Sequence, residues 1–128
     1  MKNQNTNDED YYQLAKRQAK EEYGKIKSVW SPALGDEIAF NNKGFKHLVG
    51  DGRRPRQKND RMRRFALLPL ASEIIASAKI YEDHRRVGQT QYWAVAQENN
   101  GEIVRVVIRQ IGSGRKHFFS IYNQKTAP

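Results

Sequence analysis

The sequence predicts an α+β fold in which N-terminal helices pack on a four-stranded antiparallel sheet. Before residue 79, apolar residues recur at the three- and four-residue spacing of amphipathic helices. After it they alternate with polar residues, which is typical of half-buried strands. The connections between the predicted strands are short, which favours an antiparallel meander over parallel strands joined by helices.

Composition limits the functions that the chain can have. Its 128 residues carry 23 Lys+Arg against 14 Asp+Glu, a formal net charge of +9. This balance indicates nucleic acid as the first class of partner, an anionic membrane surface as the second and an acidic protein as the third. The lack of cysteine excludes disulfides, a thiol nucleophile and zinc fingers, and the three histidines have no metal-ligand spacing. We expect a soluble protein, because no apolar run spans a bilayer and the polar, acidic N-terminus is no signal peptide.

The first predicted helix covers residues 8–28, where small and apolar residues follow one stripe between mixed charges. We expect the polar residues 1–7 before it to be disordered. This helix is a lead-in or a connector to something larger. The chain is therefore predicted to divide into a helical lead-in or linker, residues 1–30, and one domain, residues 31–128.

Two further helices are predicted before the sheet. Residues 31–35 interrupt the chain, and Asn41 or Asn42 then offers an N-cap for a short helix. A longer helical pattern covers residues 60–78, where Pro69 either kinks the helix or starts a second one at its first turn. The apolar residues of this segment predict core, without a further function.

The short helix carries the first candidate for chemistry. At about 100° per residue, Phe45 and Leu48 fall on one side of it, and Lys43, Lys46 and His47 on the other. Histidine exchanges a proton near neutral pH, and neighbouring lysines favour its neutral form and attract phosphate. The sequence alone is equally consistent with a surface histidine on a solvated basic helix.

A strongly basic stretch follows, with seven basic residues against one acid in residues 53–64. It is either a solvated loop or an electrostatic track for phosphates, and the net charge favours the track. No aromatic residue interrupts it, so stacking on bases is not expected there. The residues that we predict to bind RNA in this stretch are Arg53, Arg54, Arg56, Lys58 and Arg61.

Four strands are predicted in the second half of the chain. The sequence 98–101 is a strong hairpin signal, and glycines mark the other two turns. Their predicted bounds are 80–86, 91–97, 103–111 and 116–123.

The sheet is predicted to have one buried and one cationic face. Val104, Val106 and Ile108 point towards the helices, which leaves Arg105 and Arg109 on the opposite face. Arg105, Arg115 and Lys116 complete the predicted RNA-binding set.

Alternation along the last strand divides its side chains between these faces. Phe119 and Ile121 suit the core, which places Ser120 and Tyr122 beside the arginines. His117 then lies at the end of the buried face, unless a bulge near residue 114 turns it outward. Ser and Tyr are also ordinary residues of a half-buried strand.

These pieces together resemble the metal-independent ribonuclease toxins of the barnase/EndoU/colicin D/RelE superfamily. Over residues 35–124, the chain is most similar to colicin D-type tRNase domains and to related phage-encoded and contact-dependent toxin modules. Their pattern is a catalytic His preceded by Lys, with a second Lys nearby, and a Ser-x-aromatic on the last strand. This chain matches at Lys46-His47 with Lys43, and at Ser120-Ile121-Tyr122. It departs from the pattern in having Tyr122 where those domains have Trp, and in its lysine spacing.

The resemblance implies cleavage of RNA without a metal or cofactor. The ribose 2′-hydroxyl attacks the adjacent phosphorus, which leaves a 2′,3′-cyclic phosphate and a 5′-hydroxyl. In this chain it implies His47 as acid/base, Ser120 as a hydrogen-bond partner of phosphate or ribose, and Tyr122 as a stacking or positioning residue. The predicted transition-state cations are Lys46, Lys43 and Arg109, and His117 is a second acid/base candidate.

The resemblance also implies partners: RNA, with tRNA favoured, an acidic immunity protein, and, for some toxins, an activating host factor. It implies action in the cytoplasm of a target bacterium, after delivery as part of a larger secreted toxin, without membrane insertion. Two alternatives stay open, a non-catalytic RNA- or DNA-binding module and a phage assembly protein with a basic surface.

Overall fold

The computed structural model of the protein describes residues 3–49 and 58–125, with side chains for 10–48 and 59–124. Within these residues, six strands form one mixed sheet in the order β1-β2-β6-β5-β4-β3. The bounds of the elements are α1 Asn3–Ile26, β1 Ser28–Ser31, β2 Asp36–Ala39, α2 Asn42–Val49, α3 Lys58–Leu67, a 3₁₀ turn Leu68–Leu70, α4 Ala71–Ser77, β3 Asp83–Val87, β4 Thr90–Asn99, β5 Glu102–Ile111 and β6 His117–Lys125.

The class α+β holds, but the predicted four-stranded antiparallel sheet is wrong. Strands β1 and β2 were missed because each has four residues, too few for a period-two pattern. The segment between them is the turn of a hairpin, in which Gly35 takes a positive φ of 65°. Strand β2 then pairs with β6 in parallel at Ala39 and His117, which makes the sheet mixed.

The predicted meander from β3 to β6 is present, with antiparallel pairing throughout. Its β4–β5 turn contains Asn100 and Gly101, both at positive φ, as the hairpin signal requires. The buried face of β5 is also as predicted, with Val104, Val106 and Ile108 at most 2 % exposed.

The helices differ from the prediction mainly at their ends. Helix α1 begins at Asn3, five residues before the predicted start at residue 8. The interruption at Pro69 is confirmed, because α3 stops at Leu67 and a 3₁₀ turn containing Pro69 leads into α4.

The core lies between the helices and one face of the sheet, which buries apolar side chains from both layers. Its largest buried members are Tyr12, Tyr23, Ile38, Phe40, Phe45, Leu48, Phe65, Leu68, Ile74 and Ile75 from the part of the chain before the meander, and Trp93, Val95, Val104, Val106, Ile108, Phe118 and Ile121 from the meander.

A β-bulge in β6 corrects the predicted faces of that strand. Ile108 pairs with Phe118 and Val107 with Ser120, so Phe119 is an extra residue opposite no partner. Phe118, not Phe119, therefore enters the core, and it is fully buried. His117 lies opposite Arg109 and thus on the cationic side, not at the end of the core face.

Helix α2 lies against the flank of β6, beyond the single position at which β2 pairs with it. Gly44 permits this approach, because a Cβ there would lie 2.3 Å from the Phe118 carbonyl oxygen and 2.5 Å from the Tyr23 hydroxyl. The predicted cap is confirmed at Asn41, whose side-chain oxygen accepts a 3.2 Å hydrogen bond from the Gly44 amide. The Tyr23 hydroxyl donates to the Asn41 carbonyl at 2.7 Å and fixes the same end of the helix.

Candidate functional site

The face of the sheet turned away from the core carries a cluster around the bulged Phe119. The imidazole of His47 stacks on the Phe119 ring, with centroids 3.7 Å apart and planes at 19°. The guanidinium carbon of Arg109 lies 4.4 Å from the same centroid, and the Tyr92 ring meets it edge-on at 5.4 Å. Helix α2 and strands β4, β5 and β6 therefore each contribute one side chain to this contact.

His117 is buried next to the cluster, with only 4 % of its surface exposed. Its Nε2 accepts a 2.9 Å hydrogen bond from Arg109 Nε, so this nitrogen carries no proton. Its Nδ1 faces the Arg115 carbonyl oxygen at 3.4 Å, which suits a donated proton on Nδ1. The ring is thus a neutral acceptor that orients Arg109.

Burial is the main cause that lowers the pKa of His117 below its ordinary value, because a buried imidazolium loses hydration. The positive charges of Arg109 and Lys43 lower this pKa further, whereas the hydrogen bond to the Arg115 carbonyl opposes them. Lys43 lies one helical turn before His47 on α2, and residues four apart share one side of a helix.

Arg64 is a site residue that sequence reasoning missed. Its Nη1 donates to Ser120 Oγ at 2.6 Å and to the Ile121 carbonyl oxygen at 2.9 Å, which holds α3 against β6. Its Nε pairs with Asp60 at 3.0 Å, and its guanidinium carbon lies 5.9 Å from the Tyr122 ring centroid. The spacing of Asp60 and Arg64 by four residues was the available signal, since such pairs meet on a helix.

Ser120 and Tyr122 lie on the cationic face, as predicted, opposite Val107 and Arg105. Ser120 is nearly buried at 5 % exposure and accepts the Arg64 bond, so its hydroxyl is engaged within the protein. Tyr122 is half-buried.

Two of the predicted lysines lie away from the cluster. Lys116 pairs with Asp36 at 2.9 Å, and its ammonium lies 5.4 Å from the Trp93 ring centroid. Lys46 lines a shallow groove between α1 and α2, together with Lys20.

Three predicted RNA-binding arginines also lie elsewhere. Arg61 donates to the Tyr12 hydroxyl at 2.8 Å and holds α3 to α1. Arg105 forms an ion pair with Glu82. Arg115 is exposed in the turn before β6. Arg53, Arg54 and Arg56 lie outside the described residues, and so does the Lys58 side chain, although Lys58 begins α3.

A concavity of about 340 Å³ adjoins the cluster on the same face. Tyr92 belongs to both, and the other side chains that line it include Ala94, Val107, Tyr122, Asp83 and Arg85. This concavity was not recognisable from sequence, because it depends on the register of four strands.

Among the described side chains, no three His, Asp or Glu residues are grouped so as to hold a metal ion. In residues 3–49 and 58–125, no helix is long and apolar enough to cross a membrane.

Comparison with models of known protein families gives a match. The family model described as large polyvalent protein-associated domain 3 matches residues 7–118, which is most of the chain. Its description states no activity. No curated protein and no solved structure matches the chain significantly.

Proposed function

We propose that this chain, which belongs to the large polyvalent protein-associated domain 3 family, is a metal-independent endoribonuclease with its reaction centre beside Phe119. The observation that carries the proposal is the convergence of His47 and Arg109, from two different elements, on the ring of Phe119, with Lys43 one helical turn before His47. A titratable imidazole beside two cations is what cleavage of RNA by its own 2′-hydroxyl requires.

The reaction proceeds by transfer within the RNA. His47 removes the proton from the 2′-hydroxyl, the 2′-oxygen forms a bond to phosphorus, and the bond from phosphorus to the 5′-oxygen breaks. The leaving oxygen takes a proton from water, so the products are a 2′,3′-cyclic phosphate and a 5′-hydroxyl. Lys43 and Arg109 stabilise the charge that grows on the phosphoryl oxygens.

The surroundings give the other candidates different roles. His117 is a positioning residue, because it is buried and its Nε2 is occupied by Arg109. Ser120 supports the strand through Arg64, rather than meeting the phosphate. Lys46 contributes to the positive potential from the groove beside α1.

The biological context is part of the same proposal. The resemblance to colicin D-type domains favours tRNA as substrate and a toxin that acts in the cytoplasm of a target bacterium. A chain with a net charge of +9 attracts an acidic protein to its cationic face, so an acidic immunity protein is the expected inhibitor.

A non-catalytic RNA-binding module is the second candidate. Two observations favour it: the burial of His117, and the engagement of Ser120 by Arg64, which together leave a single histidine near the surface of the cluster. Arginine beside stacked aromatic rings is also sufficient for binding alone.

Incubation with bacterial tRNA in excess EDTA separates the two candidates. The proteins are wild type, His47→Ala and the matched control His84→Ala, whose histidine lies on the exposed edge strand β3. Wild type and the control are expected to give discrete fragments that end in a cyclic phosphate. His47→Ala is expected to cleave at least a hundredfold more slowly while it keeps its RNA affinity.

Intact tRNA with all three proteins, together with salt-sensitive binding, would support the binding module instead. Cleavage that persists in His47→Ala would retain the ribonuclease and remove His47 from the reaction. Circular dichroism of each variant shows whether a lost activity reflects a lost fold.

A further inference from the structure

We propose that the concavity beside the cluster binds one unpaired nucleobase of the RNA, stacked against Tyr92. This inference rests on the proposed function, since it takes RNA as the substrate. It extends the proposed function by naming the site that binds the nucleotide next to the reacting phosphate.

Tyr92 connects the concavity to the reaction centre. Its ring lines the concavity and also meets Phe119 at 5.4 Å, and Phe119 carries His47 at 3.7 Å. Two ring contacts, from Tyr92 to Phe119 and from Phe119 to His47, therefore separate the ring on which the base stacks from the imidazole, which is the scale of one nucleotide. The sugar and phosphate attached to this base then lie beside Phe119, next to His47 and Arg109, which both contact that ring.

The size and lining of the concavity suit a flat aromatic ligand. Its volume of about 340 Å³ is at the small end of ligand sites, which span roughly 300–1,000 Å³. Ala94 and Val107 pair across β4 and β5 and form a low floor between the rings of Tyr92 and Tyr122. Every base offers a π-face to such rings, so stacking there is independent of sequence.

Polar groups stand at the rim, where the edge of a base would emerge. The Asp83 carboxylate and the Arg85 guanidinium lie 3.2 Å apart on β3, and both are more than half exposed. They offer one acceptor and several donors to the N–H and carbonyl groups of a base. The free energy comes from stacking, and this pair orients the base.

The test uses short single-stranded oligonucleotides with 2′-O-methyl riboses, which cannot be cleaved because the nucleophile is blocked. Binding is followed by fluorescence anisotropy for wild type, Tyr92→Leu and the control Tyr81→Leu. Tyr81 is 44 % exposed and lies outside the concavity, whereas Tyr92 is half-buried. Tyr92→Leu is expected to raise the dissociation constant about tenfold, and Tyr81→Leu to leave it unchanged.

An oligonucleotide with abasic sites supplies the second arm, which does not depend on any variant folding. Wild type is expected to bind it about tenfold more weakly than the complete oligonucleotide, and Tyr92→Leu to add no further loss. Equal binding of both oligonucleotides by wild type would overturn the proposal, and so would equal affinities of Tyr92→Leu and Tyr81→Leu.

These outcomes are distinguishable from failure of the ribonuclease itself. Base-dependent binding through Tyr92 without any cleavage of tRNA would retain the base site on a binding module. Cleavage that depends on His47, with binding that ignores the base, would retain the enzyme and remove the base site.

Discussion

Gly44→Ala tests the packing of α2 against β6, on which the position of His47 depends. A Cβ at this position would lie 2.3 Å from the Phe118 carbonyl oxygen and 2.5 Å from the Tyr23 hydroxyl. Neither atom is the flexible end of a side chain, because one belongs to a paired strand and the other donates to the Asn41 carbonyl. The helix must therefore move away from the strand.

Three contributions set the magnitude. Alanine favours a helix over glycine by about 1 kcal/mol, which stabilises the variant. Overpacking opposes this by about 1–3 kcal/mol, and displacement of the Tyr23 hydroxyl from its buried acceptor by another 1–3 kcal/mol or so. We expect Gly44→Ala to lower the free energy of unfolding by about 3 kcal/mol, and the midpoint of thermal unfolding by roughly 10 °C.

Gly24→Ala is the matched control, since Gly24 lies in α1 with no atom near its Cβ position. It is expected to raise the free energy of unfolding by about 0.5–1 kcal/mol. Urea denaturation followed by circular dichroism measures both variants against wild type. If Gly44→Ala were as stable as Gly24→Ala, the close approach of α2 to β6 would be refuted, together with the placement of His47 that depends on it.

Three further predictions concern the support of the site. Tyr23→Phe loses a 2.7 Å hydrogen bond and is expected to destabilise by about 1 kcal/mol in urea denaturation, and no change would argue against that bond. Arg64→Ala leaves a hydroxyl and a carbonyl of β6 unpaired, so it should destabilise by about 2–3 kcal/mol, whereas the exposed control Arg63→Ala should stay within about 0.5 kcal/mol. His117 has a lowered pKa, so the unfolded chain takes up its proton first and stability falls as the pH drops below about 6.5 towards the pKa of the folded protein. His117→Gln should flatten this part of the stability–pH curve. An unchanged slope would mean that a group other than His117 takes up the proton on unfolding.

The meander was predictable because each of its signals is local. Asn100 and Gly101 determine the β4–β5 turn, and alternation over ten residues determines which side of β5 is buried. Strands β1 and β2 have four residues each, and the contact of β2 with the sheet joins Ala39 to His117, far away in the sequence. No local pattern specifies such a pairing, so the mixed character of the sheet could not be predicted.

The residues on the polar face of α2 were predicted correctly, but the surfaces that they face were not. The pattern groups Lys43, Lys46 and His47, since all three avoid the core. Because α2 lies along the flank of β6, its two polar sides face different surfaces. His47 contacts Phe119 on the sheet and Lys43 lies one turn before it, whereas Lys46 lines the groove beside α1. A helical wheel cannot separate them, because it contains no information about the neighbours of the helix.

The bulge in β6 is the feature on which the site depends most. Strict alternation would place His117, Phe119 and Ile121 on one face, so that either the core or the cluster would lack its aromatic ring. One extra residue at Phe119 changes this, because Phe118 and Ile121 can both enter the core while His117 and Ser120 both face outward. Phe119 itself lies outside the core, and its ring stacks with His47 and contacts Arg109. The trace of this in the sequence is an apolar spacing of three, from Phe118 to Ile121, within a strand that otherwise alternates. That spacing is a local conflict with the period of the strand, and such conflicts are expected at functional sites.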